Sequence, residues 1–207
     1  LSNEIINKLP FRLTNDQKSV LKEINSDLKS NKRMFRILQG DVGSGKTIVS
    51  ILSLLNAIES KYQCAFMSPT EILANQHYKL IRNILKNSNI KVEFLTGKTD
   101  AKKKKLILSD LKKGKIDLLI GTHALFQKKI EFKKLGFIVI DEQHKFGVKQ
   151  RSELAKKGGK NCDVLLMSAT PIPRTMMMSL YGDMDISKIE EKPANRKKIN
   201  TLSKPEK

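Results

Sequence analysis

The chain has no tryptophan, two cysteines and three histidines in 207 residues. It also lacks any apolar run near the roughly 18 residues that a membrane-spanning helix needs. Cys64 and Cys162 each fall in a stretch that reads as a buried strand, which excludes a disulfide-stapled framework. They read instead as reduced core thiols of a cytoplasmic protein. No spacing of His and Cys resembles a zinc site. Acidic residues are scarce beside basic ones, 21 against 40, leaving a formal net charge of +19. Such a charge points toward a polyanionic partner such as nucleic acid. The same lysine excess, accompanied here by abundant Asn and Ile, follows from a genome rich in A and T, so charge alone does not decide the matter. The start, Leu1 to Pro10, is polar and has no signal-peptide pattern. The absence of an initiating Met leads us to expect a piece of something larger.

The length suits one domain with room for a substantial core. Thr14 followed by Gln17 forms a capping box, and Val20, Leu21, Ile24 and Leu28 then share one helical face, predicting a helix over about 15–29. Beyond it, short apolar strands alternate with amphipathic helices. Strands are expected at Met34–Leu38, Ala65–Ser68, Val92–Leu95, Leu118–Ile120, Phe137–Ile140 and Val164–Met167. Helices are expected near Ile48–Ile58, Glu71–Lys86, Ala101–Lys113, Val148–Lys157 and Pro173–Leu180. This order predicts an α/β fold with a mainly parallel sheet covered by helices on both faces. The run Lys102 to Lys105 reads as a solvated helix face. Residues Glu190 to Lys207, with two prolines, many charges and few apolar side chains, read as a linker after a domain spanning 1–189.

Gly40-Asp41-Val42-Gly43-Ser44-Gly45-Lys46-Thr47 matches G-x-x-x-x-G-K-[ST] in full, directly after one predicted strand and before one predicted helix. Gly40, Gly43 and Gly45 let the backbone curl so that N–H groups, with that of Ser44, face inward onto phosphate oxygens. The positive end of the following helix adds to this. Lys46 would reach the β- and γ-phosphates, and the Thr47 hydroxyl would bind Mg²⁺. The second site is Ile138-Val139-Ile140 followed by Asp141-Glu142. In an open α/β sheet, ligands bind at the carboxyl ends of strands. Asp141 is placed to hold Mg²⁺, and Glu142 to orient or deprotonate the water that attacks the γ-phosphate of ATP. Ser168-Ala169-Thr170 also ends a predicted strand. It reads equally as a γ-phosphate sensor and as a strand-to-helix turn capped by Thr170.

Across nearly the whole chain the set resembles the first motor domain of superfamily 2 helicases, in detail the RecG type. The matching residues are Leu9-Pro10-Phe11 with Leu13-Thr14 and Gln17, then Gly40–Thr47, then Pro69–Ala74 with Gln76-His77. They continue with Leu95-Thr96-Gly97, Gly121–Leu125, Asp141–His144 with Phe146-Gly147-Val148, and Ser168–Thr175. The resemblance implies a RecA-like, ATP-binding domain of a DNA helicase that remodels forks and migrates branches in recombination and repair. Gln17 would read the adenine edge. Pro69, Thr70, Thr96, Gly97, Thr122 and His123 would line the DNA track, gripping phosphates without sequence preference. His144, Ser168 and Thr170 would couple nucleotide state to DNA grip. His77 is expected to be a helix-surface histidine. Lys145 stands where the family has Arg, and Asn195-Arg196 where it has Gly-Arg.

The resemblance also implies partners in the parent protein: a second motor domain with its arginine finger, for which no motif follows here, and a wedge domain that splits forks. An arginine finger is worth roughly 10³–10⁵ in rate, so the isolated chain is expected to hydrolyse ATP poorly. The substrate implied is branched DNA, such as forks and four-way junctions. Three other readings stay open: the related transcription-repair coupling factor, a P-loop kinase or NTPase acting on a small molecule, and a nucleic-acid-binding piece with no chemistry of its own.

Overall fold

Seven short apolar segments pair edge to edge: β1 (Phe35–Gly40), β2 (Gln63–Met67), β3 (Val92–Leu95), β4 (Leu118–Gly121), β5 (Leu135–Ile140), β6 (Asp163–Ser168) and β7 (Asp185–Ile189). The computed structural model describes residues 2–127, 129–141, 162–170 and 184–193. The strands form one sheet in the order β3-β4-β2-β5-β6-β1-β7, and every neighbouring pair is parallel. Parallel strands need crossovers, and helices supply several of them: α3 (Lys46–Glu59) after β1, α4 (Glu71–Ile84) after β2 and α5 (Ala101–Lys112) after β3. Two helices precede the sheet, α1 (Ser2–Lys8) and α2 (Asn15–Lys29).

Burial on both faces explains why the central strands read as continuous apolar runs rather than as alternations. β2, β4 and β5 are buried at every residue. Phe66, Phe137, Val139, Leu165 and Met167 join the core under α1 to α4. Their chain neighbours Ala65, Ile138, Ile140 and Leu166 point the other way, into a second core with Ile107 and Leu111 of α5. Both cysteines lie fully buried and unpaired. Burial pushes the Cys64 thiol well above its ordinary pKa and that of Cys162 up to about 12, so neither is a nucleophile at neutral pH.

The predicted strands and helices in the described residues are present, shifted by a few residues at their ends. The capping box is intact: the Gln17 N–H donates to Thr14 Oγ1 (3.2 Å) and the Thr14 N–H donates to Gln17 Oε1 (3.0 Å). The expected helices near Val148–Lys157 and Pro173–Leu180 lie outside the described residues, and no helix among those described is long and apolar enough to cross a membrane. Three described elements were not foreseen: α1, β7 and a 3₁₀ turn over His123–Phe126. β7 alternates buried and exposed residues at the sheet edge. It is fixed by Arg36 of β1, whose guanidinium donates to Ser187 Oγ (2.7 Å), Asp27 (2.7 Å) and Glu23 (3.1 Å). One arginine thus ties α2, β1 and β7 together. The segment expected to open a linker begins differently. Asp16, at the start of α2, accepts N–H bonds from Glu190 (2.8 Å) and Glu191 (2.7 Å), while the Glu191 carboxylate accepts from Asn15 and Asp16. Those two backbone donors hold the Asp16 carboxyl below its ordinary pKa. Residues 190 and 191 are therefore fastened to the domain.

Asp163 opens β6 with a carboxyl that burial pushes up to about 6, although it accepts the Met34 N–H at 2.7 Å. Between about pH 4 and 6 the unfolded chain has released this proton while the folded one retains it. This group therefore makes stability fall as pH rises through that window. Asp163→Asn keeps an acceptor for Met34 and removes the titration. We expect the gap between mutant and parent urea midpoints to widen in favour of Asn from pH 4 to pH 7, and an unchanged gap would refute the assignment.

Candidate functional site

Because all seven strands run the same way, every loop that follows a strand emerges on one rim of the sheet. Each described candidate residue except Gln17 lies on that rim or at the start of the helix beyond it. The strand order sorts them into two flanks. Thr70, Thr96 and Thr122 follow β2, β3 and β4, which are adjacent at one edge; Gly40 to Thr47, Asp141 and Ser168 follow β1, β5 and β6, which are adjacent in the other half.

The loop after β1 turns through Gly43 (φ 80°) and Gly45 (φ 91°) before α3 begins at Lys46. Gly45 is required twice over. Its positive φ disfavours any side chain, and an added Cβ would lie 2.2 Å from Gln17 Nε2. Gln17 is 2 % exposed and donates from Nε2 to the Ser44 carbonyl (2.8 Å), while its Oε1 serves the α2 cap. The amide expected at an adenine edge is thus committed on both sides, to α2 and to the loop. Lys46 folds back over the loop, its ammonium donating to the carbonyls of Gly40 (2.5 Å) and Asp41 (2.9 Å). Thr47 is half-buried in the first turn of α3.

Asp141 extends β5 by one bond, its N–H donating to the Met67 carbonyl at 2.8 Å. Its carboxylate has a partner that the sequence reading placed elsewhere. His77 of α4 is not a surface histidine. Its ring packs 4.7 Å from that of Phe66, its Nε2 lies 2.8 Å from Asp141 Oδ2, and both side chains are 13 % exposed. An ionised carboxylate only accepts, so the hydrogen of this bond belongs to Nε2. The signal in the sequence was the seven-residue step from Thr70 to His77, which keeps both on one helical face. Glu142 and His144 lie outside the described residues.

Ser168 pairs with Gln39 of β1 and sits one strand from Asp141 on its other side. Its hydroxyl bonds to the Thr170 backbone N–H (3.2 Å) and lies 3.1 Å from Thr170 Oγ1, forming a tight turn. On the other flank, Thr70 caps α4 by accepting the Leu73 N–H (3.3 Å). Its neighbour Glu71 pairs with Lys98 (3.2 Å), which holds the Glu71 carboxyl below its ordinary pKa. Thr96 is buried within its own turn, accepting from the Lys98 N–H. Gly97 and His123 are exposed, Pro69 is half-buried and Thr122 is buried. Gly121 admits no side chain, since a Cβ there would come 2.1 Å from the Leu95 carbonyl oxygen.

Buried polar atoms need partners. Among the described residues, those without one in the protein are Gln39 Nε2, Ser44 Oγ, Ser68 Oγ and Thr122 Oγ1. All four stand on this rim, at the ends of β1, β2 and β4 and in the loop after β1. Gln39 and Ser68 were not singled out from the sequence, since an amide or hydroxyl at a strand end has no motif of its own. A cavity of about 270 Å³ opens here between Gln39, Gly40, Asp41, Ala169 and Lys188. A larger one, about 600 Å³, lies at the opposite rim among Lys29, Lys32, Arg33 and Asp163, away from every motif residue.

Residues 14–179 match the family model of the DEAD/DEAH box helicases. The chain is 51 % identical over 205 residues to the ATP-dependent DNA helicase RecG of Thermotoga maritima, covering 99 % of this chain and 26 % of that protein. It is 54 % identical over 197 residues to the RecG of Aquifex aeolicus, covering 95 % and 25 %. Among solved structures, that of RecG bound to a three-way DNA junction superposes with a TM-score of 0.84 at 47 % identity, over 96 % of this chain and 26 % of that one. The chain spans about a quarter of the length of the relatives it matches.

Gly45→Ala should destabilise the chain by roughly 2 kcal/mol from the left-handed backbone and the clash with Gln17. Adding Gln17→Ala should recover part of that loss. Additive urea-unfolding free energies for the two substitutions would show that Gln17 does not press on the loop.

Proposed function

The chain belongs to the DEAD/DEAH box helicase family, and from that membership we propose that it is the first motor domain of an ATP-driven DNA helicase of the RecG type. The observation that carries this reading is the division of one sheet rim into a phosphate-loop flank and a hydroxyl-rich flank, joined between β2 and β5.

On the nucleotide flank, Gly40, Gly43, Ser44 and Gly45 form a cradle of backbone N–H groups at the start of α3, and Lys46 is within reach of the phosphates. The orphaned Ser44 hydroxyl and Gln39 amide fit a ligand rich in acceptor oxygens. Thr47 and Asp141 would hold Mg²⁺. An ion that arrives on a nucleotide needs only one or two protein oxygens. Mg²⁺ would supply charge neutralisation at the phosphates. Glu142 would orient the attacking water. Ser168 and Thr170, between Asp141 and the phosphate loop, would register the γ-phosphate, together with His144. For Gln17 the packing favours support of the loop over contact with a base.

On the other flank, Pro69, Thr70, Thr96, Gly97, Thr122 and His123 would grip DNA phosphates through hydroxyls and N–H groups, without reading sequence. The RecG structure with a three-way junction supports branched DNA as the substrate. A second motor domain would close over the rim and contribute an arginine finger, and a wedge domain would part the strands. Residues 1–189 form the motor domain in this reading, and the chain beyond 191 leads toward the second. A cytoplasmic site of action follows from work on chromosomal DNA in recombination and repair.

ATP hydrolysis by the intact protein, measured with and without a forked duplex, tests the reading. We expect DNA to stimulate turnover. Lys46→Ala should lower the rate roughly a hundredfold or more while DNA binding persists. Turnover indifferent to DNA would instead favour a kinase or NTPase acting on a small molecule.

A further inference from the structure

We infer that His77 is a positioning residue that links DNA engagement to the nucleotide site by holding the carboxylate of Asp141. The inference rests on the functional reading above and adds to it the element that joins the two flanks.

The geometry is specific. The two flanks meet between β2 and β5, where Met67 pairs with Ile140 and the Asp141 N–H continues the ladder. α4 begins on the DNA flank, with Thr70 as its cap and Glu71 tied to the Thr96 turn through Lys98. Seven residues along, two helical turns or roughly 10 Å, the same helix presents His77 to Asp141 at 2.8 Å. Ala74 and Ile81, both fully buried, seat the helix on the core, so in this proposal it moves as a unit. A shift of the Thr70 end on binding a phosphate is therefore delivered to the Asp141 carboxylate as a change in orientation.

The imidazole is well fixed for this task. Its ring packs at a tilt of 47° against Phe66 of β2, itself fully buried, which restricts its movement beside the carboxylate. Asp141 follows the last residue of β5 and is fixed at its backbone by the Met67 carbonyl, while His77 holds its side chain. A metal-directed carboxylate is aimed by the hydrogen bond its other oxygen makes, and losing such a partner typically costs 10–100-fold in affinity or activity. Linkage makes the effect reciprocal: whatever DNA does to nucleotide affinity through this bond, nucleotide must do to DNA affinity.

The test uses the intact protein, a forked duplex and a non-hydrolysable MgATP analogue. His77→Phe keeps an aromatic ring packed against Phe66 and removes the hydrogen bond. DNA-stimulated kcat should fall about tenfold with KM for ATP close to that of the parent. The factor by which the analogue changes DNA affinity, a binding measurement without turnover, should move toward one. His77→Gln places an amide donor where Nε2 was and should restore both quantities, whereas His77→Asn, whose donor falls short at the Nδ1 position, should not. If His77→Phe fails to fold, the Gln and Asn pair carries the comparison alone. Parent-like stimulation and parent-like coupling in His77→Phe, or equal behaviour of Gln and Asn, would overturn the inference while leaving the helicase reading intact. A parent protein unmoved by DNA would overturn both.

Discussion

Burial of one parallel sheet on both faces is the constraint from which the rest follows. β2, β4 and β5 have no solvent-facing side, so a polar side chain along them is costly unless it is paired, as Gln63 is at the start of β2. Polar chemistry is confined to the strand ends, and parallel pairing gathers all carboxyl ends on one rim. The residues on that rim come from segments more than a hundred positions apart in the chain, yet adjacent strands hold them about 5 Å from one another. The apolar interior is thus the reason that the polar rim is dense enough to do chemistry.

Within that rim the strand order does the sorting. β6 enters between β5 and β1, so the serine that ends it stands between the acid and the phosphate loop. β4 enters between β3 and β2, which brings three threonine-bearing turns side by side. At the margins, the largely buried Arg36 binds α2 to the last strand, while the exposed pair of Glu71 with Lys98 links the start of α4 to its neighbouring turn at little gain in stability. These contacts tie the helices that carry functional groups to the sheet that orders them.

Much of this was legible in the sequence where a pattern repeats locally. Ile138-Val139-Ile140 before Asp141, and Thr14 three residues before Gln17, each announce their structure within a few positions. What escaped depends on partners distant in the chain. β7 has a mixed pattern because it is an edge strand, and its stability comes from Arg36, some 150 residues earlier. Glu190 and Glu191 look like linker until Asp16 is seen beneath their N–H groups. His77 reads as a surface residue on its own helix. The helix wheel cannot show that Asp141 comes to meet it. Gln17 was legible as the partner of Thr14 in the cap, whereas its bond to the Ser44 carbonyl, 27 residues on, was not.

The two buried thiols give the sheet a property of a different kind. Cys64 lies near the start of β2 and Cys162 just before β6, on either side of β5 and at the rim opposite the motif residues, each fully enclosed and held protonated by its surroundings. Neither can be alkylated or oxidised at an appreciable rate until the packing around it opens. Each half of the domain therefore carries its own chemical recorder of opening. The ratio of labelling at the two positions reports whether the halves loosen together or one ahead of the other.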